Sequence, residues 1–241
     1  MESFDLLEGT DENEDVSGRC LVGKILTPKI LNKQAVLNII HSAWKTRKSV
    51  RISSWNDNAY LFQFEELAGR QKVLEDAPWS VMGSLLVLQP VQPRMVTSEL
   101  EFHWCPFWVQ VHGLPIEKLT RGHDETIGRR IGQLVSMEAY MEGLLLQRNF
   151  LTIRVKVDVT KPLLQGFILH RKEESEVPDG AGIKVLYKYE KLAEFCYDCG
   201  RIGHDRNACK VVSREDGLNS GYGPDMCTGV ARSLGPSTES F

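Results

Sequence analysis

Val50-Arg-Ile-Ser-Ser-Trp-Asn-Asp-Asn-Ala-Tyr-Leu-Phe-Gln-Phe64 holds two strand-like runs on either side of one polar turn. Val50–Trp55 reads as a strand, Asn56-Asp57-Asn58 as the turn and Ala59–Phe64 as the returning strand. What flanks this hairpin decides the fold. Upstream, Leu21–Leu26 is a short apolar run ended by Thr27-Pro28. Asn32 then caps a helix whose Val36, Ile39, Ile40 and Ala43 fall on one face. Downstream, Glu66–Glu75 reads as a second helix with Leu67, Val73 and Leu74 as packing positions, and Gly83–Val91 supplies a fourth strand. The order βαββαβ over residues 19–92 is the ferredoxin-like arrangement of an α+β domain.

RNA-recognition domains share that arrangement, and they display aromatics on the open face of the sheet to stack on bases. Here the period-2 alternation of the returning strand turns Phe62 and Phe64 toward the helices, into one core with Val36, Ile40 and Leu74. Leu61 and Ala59 are left where stacking rings would stand. The domain is therefore expected not to read RNA on its sheet, and to be a candidate for protein partners instead. Trp79, after Pro78, reads as a core anchor.

A second, less regular α+β unit is expected over residues 105–190. Phe107–Pro115 is a strand ending in a turn, and a helix over about 117–131 carries Leu119, Ile127 and Ile131 inward. Strands follow at Gln133–Glu138, Leu151–Val159 and Gly182–Glu190. Leu151–Val159 alternates strictly, with Ile153, Val155, Val157 and Val159 on one face and Thr152, Arg154, Lys156 and Asp158 on a solvated one. Trp108 reads as core.

The last strand leads into Cys196-Tyr-Asp-Cys-Gly-Arg-Ile-Gly-His-Asp-Arg-Asn-Ala-Cys209, which has the spacing C-x2-C-x4-H-x4-C. Three thiolates and one imidazole from Cys196, Cys199, His204 and Cys209 make a closed tetrahedral shell for Zn²⁺ with no position for a reacting water. Such a CCHC zinc knuckle, over 194–210, is structural rather than catalytic. Gly200 allows the tight turn after the first cysteine pair, and Gly203 lets the chain fold back to bring His204 to the metal. A thiol redox pair would require only the C-x-x-C. Tyr197 and Ile202 lie in a segment too short to bury them and are expected to stand exposed, ready to stack on an unpaired base. Arg201, Arg206 and Lys210 surround them and can meet phosphates.

The net charge of −3 is unevenly spread. Residues 1–19 carry a net −6 and residues 211–241 a net −2, which leaves the body at +5. A mildly basic body suits nucleic acid. Residues 1–18 are expected to be a disordered acidic tail, and 211–241, rich in Gly, Ser and Pro, a flexible one. No apolar run of membrane-spanning length and no secretory signal stands in the chain, so an intracellular place, nucleus or cytoplasm, is expected. Cys20, Cys105 and Cys227 are scattered singly, as in a reducing compartment.

With these residues in hand, the chain resembles a plant family derived from non-LTR retrotransposon reading frames, with an uncharacterised N-terminal domain before a CCHC knuckle. The matching stretches are Tyr60–Glu65, Val73–Trp79, Phe107–Pro115, Ile131–Leu134, Thr160–Leu163 and Tyr189–His204. The resemblance implies a gag-like nucleic-acid-binding protein. No G-x-S-x-G, P-loop or H-E-x-x-H occurs. The expectation is a non-enzymatic, zinc-dependent binder of single-stranded RNA or DNA. The rivals are a protein-interaction adaptor that keeps the knuckle as a structural staple, and a hydrolase with an unrecognised site.

Overall fold

The computed structural model describes residues 17–55, 58–92, 95–138, 149–170, 182–211 and 221–228. The expected acidic tail falls, but for its last two residues, outside the described residues. The chain divides into two compact units, Met1–Cys105 and Pro106–Phe241.

In the first unit the elements run β1 (Cys20–Ile25), α1 (Lys33–Ala43), β2 (Val50–Ser54), β3 (Ala59–Phe64), α2 (Leu67–Glu75), β4 (Trp79–Val81) and β5 (Ser84–Pro90). The sheet order is β2-β3-β1-β5-β4, all its pairings antiparallel. This is the ferredoxin-like βαββαβ sheet with one addition, the short edge strand β4. It joins β5 through Met82 and Gly83, both at positive φ (51° and 84°), as a two-residue hairpin turn requires. Asn32 caps α1 by accepting a 3.0 Å hydrogen bond from the Ala35 amide.

Phe62 and Phe64 point to the helices and lie in one cluster with Leu21, Ile25, Val36, Ile40 and Val73; Leu74 packs against it half-buried. Trp44, just past α1, fills the middle. Its ring lies 4.7 Å from Phe62, 5.8 Å from Phe64 and 6.1 Å from Trp79. The Trp79 indole N–H donates to the Val73 carbonyl at 2.8 Å. Leu67 departs from expectation: it is 57% exposed, because it opens the first turn of α2 while only Val73 of that helix reaches full burial. Leu61 and Ala59 occupy the other face of β3, where RNA-recognition domains carry their stacking rings. Val22, Leu85 and Val87 on the same face of the sheet are buried.

The second unit runs β6 (Trp104–His112), α3 (Arg121–Ile131), β7 (Gln133–Met137), β8 (Phe150–Asp158), β9 (Gly166–Leu169) and β10 (Ile183–Tyr189). Its order, β7-β8-β6-β10-β9, is the first unit's order repeated strand for strand. It is thus more regular than its sequence suggests. Cys105, Phe107, Val109 and Val111 of β6, Leu151, Ile153, Val155 and Val157 of β8, and Val185, Tyr187 and Tyr189 of β10 are buried at alternate positions. Gly128 of α3 lets the helix approach this face; a side chain there would press on Leu134 and Ile153.

The opposite face of β8 is not uniformly solvated. Thr152 is fully buried, and the Arg154 guanidinium lies 5.6 Å from the centre of the Trp108 ring, a cation–π pair. Trp108 is half-buried, on the face away from the core strand positions. Among the described residues no helix is long and apolar enough to cross a membrane.

Candidate metal centre and nucleic-acid interface

After β10 the chain turns through Lys191, at φ 51°, and Ala193 and Phe195 bury themselves. Phe195 then bridges Ile202 in a minimal antiparallel pairing. The Cys196 amide donates to the Arg201 carbonyl at 2.9 Å, and the Gly200 amide to the Cys196 carbonyl at 2.8 Å. These bonds close the loop that holds Cys196 and Cys199 side by side. Gly200 and Gly203 both take positive φ, 72° and 100°. Asp205 accepts from the Ala208 amide at 3.0 Å and caps the 3-10 turn Arg206–Ala208, which delivers Cys209.

The result is four donor atoms, from Cys196, Cys199, His204 and Cys209, all within 4.8 Å of one another. Cys199 Sγ lies 3.4 Å from His204 Nε2. A tetrahedral Zn²⁺ shell with arms of about 2.0–2.3 Å has edges of about 3.6 Å, so the donors fit a single ion with Nε2 as the imidazole ligand. Burial, together with the neighbouring Cys196 and Cys209, pushes the Cys199 thiol up to about 11, against the Arg201 amide that hydrogen-bonds it.

The expected contact residues do not share one fate. Tyr197, expected to stand exposed, is half-buried, its ring set edge-on to Phe195 at 4.9 Å. Lys210 is exposed. Ile202, however, is 6% exposed, and the expectation that it stands free as a stacking platform is corrected. Its strand-like pairing with Phe195 turns it into a small core that also receives the Tyr222 ring, 6.4 Å from Phe195. Arg206 is exposed but engaged: it grips the Asp198 carboxylate at 2.6 and 2.8 Å and so ties the first cysteine loop to the last. Arg201 is half-buried, with its Nε enclosed.

The knuckle is built into the second unit. The Leu163 amide donates to the Gly200 carbonyl at 2.9 Å. Tyr222 lies directly over Gly200, where any side chain would collide with its ring, and its hydroxyl donates to the Leu163 carbonyl at 3.1 Å. Tyr189 of β10 donates to the Leu164 carbonyl at 2.9 Å. Beyond Tyr222, Met226 is buried, and Cys227 pairs in parallel with Tyr189. Residues 221–228 therefore depart from the flexible tail expected over 211–241; the rest of that span lies largely outside the described residues. The local signal was Gly221-Tyr-Gly-Pro224, a turn around one large ring, which the composition of the whole tail averages away.

Among the remaining histidines, His112 donates from Nε2 to Gln110 Oε1 at 3.0 Å, and its ring lies tilted 4.7 Å from that of Phe150. Burial and the Lys188 charge hold its ring below the ordinary histidine value. His123 bonds the Thr120 hydroxyl at 2.7 Å. Neither joins a further cluster of metal-ligating side chains among the described residues.

Comparison with known proteins finds one match in each unit. Residues 13–99 match the model of a domain of unknown function, DUF4283, and residues 157–211 match that of a zinc knuckle. The second match starts inside β8, well before the first cysteine, in keeping with a knuckle seated on its sheet. A stretch of 103 residues is 23% identical to the uncharacterized protein At4g02000 of Arabidopsis thaliana; it covers 42% of this chain and 30% of that protein's length. Among solved structures, the Sxl-lethal protein/RNA complex overlays at a TM-score of 0.26 and 13% identity, over 71% of this chain and 98% of that one. The N-terminal three RNA binding domains of the yeast splicing factor Prp24 overlay at 0.25 and 11%, over 75% and 68%. These overlays are too loose to compare folds. The chain carries a DUF4283 domain followed, within its second sheet unit, by a CCHC-type zinc knuckle.

Proposed function

We propose that this protein binds single-stranded nucleic acid, RNA or DNA, through a Zn²⁺-organised knuckle, and that it is a non-enzymatic, gag-like protein of the kind its sequence resembles. The observation that carries the reading is the convergence of Cys196, Cys199, Cys209 and His204 Nε2 on one point, beside a half-buried Tyr197 and an exposed Lys210. Bound there, Zn²⁺ would supply the four short bonds that hold a segment with almost no core of its own. Four protein donors complete a tetrahedral shell, which suits a structural ion. The protein's own residues then do the binding. Tyr197 offers a ring to one base. Lys210 meets a phosphate, and Arg206 does so only by sharing itself with Asp198.

A second reading, the adaptor whose knuckle is a staple, is favoured by the burial of Ile202 and the seating of residues 221–228 on Gly200. Titration of the full chain with labelled single-stranded RNA, single-stranded DNA and duplex separates the two. Tyr197→Ala is expected to weaken single-strand binding by about 1–3 kcal/mol, one stacked base, while retaining stoichiometric zinc. Lys210→Gln is expected to make the salt dependence shallower. Parent-like binding by both variants leaves the staple reading in possession.

A further inference from the structure

We propose that the first unit carries a second, separate contact for single-stranded nucleic acid, in the cleft between the β1–α1 loop and the β2–β3 hairpin. This proposal rests on the reading that the chain binds such strands, but on none of the knuckle's residues. The cleft encloses about 410 Å³, within the span of about 300–1,000 Å³ typical of small-ligand sites. Lys24, Lys29 and Lys33 line it together with Trp55, and no described lining residue is acidic.

The cleft is held open by specific bonds. Asn58, at φ 61°, donates from its side-chain amide to the Lys29 carbonyl at 2.8 Å and accepts from the Leu31 amide at 3.4 Å. Its own carbonyl receives the Ile25 amide at 3.0 Å, and Trp55 closes the hairpin by donating to the Ala59 carbonyl at 2.8 Å. One asparagine thus pins the lysine-bearing loop to the tryptophan-bearing hairpin. Trp55 remains 37% exposed and Ile30 on the rim 99% exposed, although the unit has a well-formed core that excludes both. A large ring left more than a third exposed beside three lysines is poor as packing and well suited to a base flanked by phosphates. An acidic peptide would meet the lysines and leave the ring unused.

The test uses the full zinc-loaded chain and fluorescein-labelled 15-mers of oligouridylate and oligothymidylate, read by anisotropy over a range of salt. Trp55→Ala is expected to weaken binding by about five- to a hundredfold, the loss of one stacked base. The double variant Lys24→Gln/Lys33→Gln is expected to reduce the slope of log affinity against log salt by about 1.4, two phosphates on a single strand. Ultraviolet crosslinking of the unaltered chain, mapped by mass spectrometry, is expected to place a nucleotide on Trp55, and does not depend on any variant folding. Parent-like affinity and slope in both variants, or crosslinks confined to residues 195–211, overturns the cleft and leaves the knuckle reading standing. Loss in these variants with none in Tyr197→Ala supports the cleft and overturns the knuckle as a contact. Displacement of the oligonucleotide by polyglutamate with the same dependence on Trp55 assigns the cleft to acidic peptides and overturns the proposal, as does failure of the parent to bind either strand.

Discussion

The two sheets of this protein are built to one plan and closed in two ways. β2-β3-β1-β5-β4 and β7-β8-β6-β10-β9 have the same connectivity, and each packs a helix after its first strand. Between its third and fourth strands the first unit inserts α2, whose Val73 enters the core. At the corresponding place the second unit has only residues 159–165, with no helix. There the buried Leu163 and the Leu164 carbonyl are held by Gly200 of the knuckle, Tyr222 and Tyr189. Strand order follows from pairing and alternation, which both halves satisfy. The cover on the sheet is replaceable, and in the second half the knuckle loop and a returning segment hold the stretch that a helix fills in the first.

That comparison can be broken most severely at the cores. Phe64→Ala in the first unit and Phe107→Ala in the second each remove a ring that is at most 2% exposed. Each is expected to cost about 3–5 kcal/mol in urea unfolding. A loss well under half of that for Phe107 alone would mean that the second sheet is not closed over a core of its own.

Gly200→Ala sharpens the contrast, since it touches only the second unit's cover. A side chain at φ 72° costs about 1–3 kcal/mol, and it would also displace the Tyr222 ring. Amides of Leu163, Cys196 and Thr228 should exchange faster by hydrogen exchange, with those of β1 and β3 unaffected. Unchanged protection at Leu163 would show that the knuckle does not hold the 159–165 segment.

The smallest expected effect comes from Tyr222→Phe. It removes one hydrogen bond, to the Leu163 carbonyl, and leaves the ring over Gly200. A loss of about 0.5–1.5 kcal/mol is expected in the same unfolding measurement. No loss would place the contribution of residues 221–228 in ring packing and Met226 alone.

Much of this was legible in the sequence where local signals repeat. The Asn32 cap, the alternation of Phe62 and Phe64 and the strict period of Leu151–Val159 each specify a face, and the structure uses those faces. The knuckle ligands were legible because four residue types at three spacings must agree at once. What escaped was tertiary. Nothing local marks Ile202 as buried, since its bridge partner Phe195 stands before the first ligand of the knuckle. The four residues of β9 are too few to show a period. Tyr222 and Met226 sit in a stretch whose composition reads as loop, and only their docking on Gly200 and Tyr189 gives them structure. Arg206 reads as a phosphate ligand until Asp198, eight residues away, is seen to hold it.

We propose a Zn²⁺-organised knuckle that contacts single strands. Its most direct test is the affinity of the full chain for one labelled single-stranded 15-mer, measured zinc-loaded, after chelation and after zinc is restored. Affinity is expected to fall by about tenfold or more on chelation, about 1.4 kcal/mol or more, and to return with stoichiometric zinc. The same affinity in all three states would contradict it.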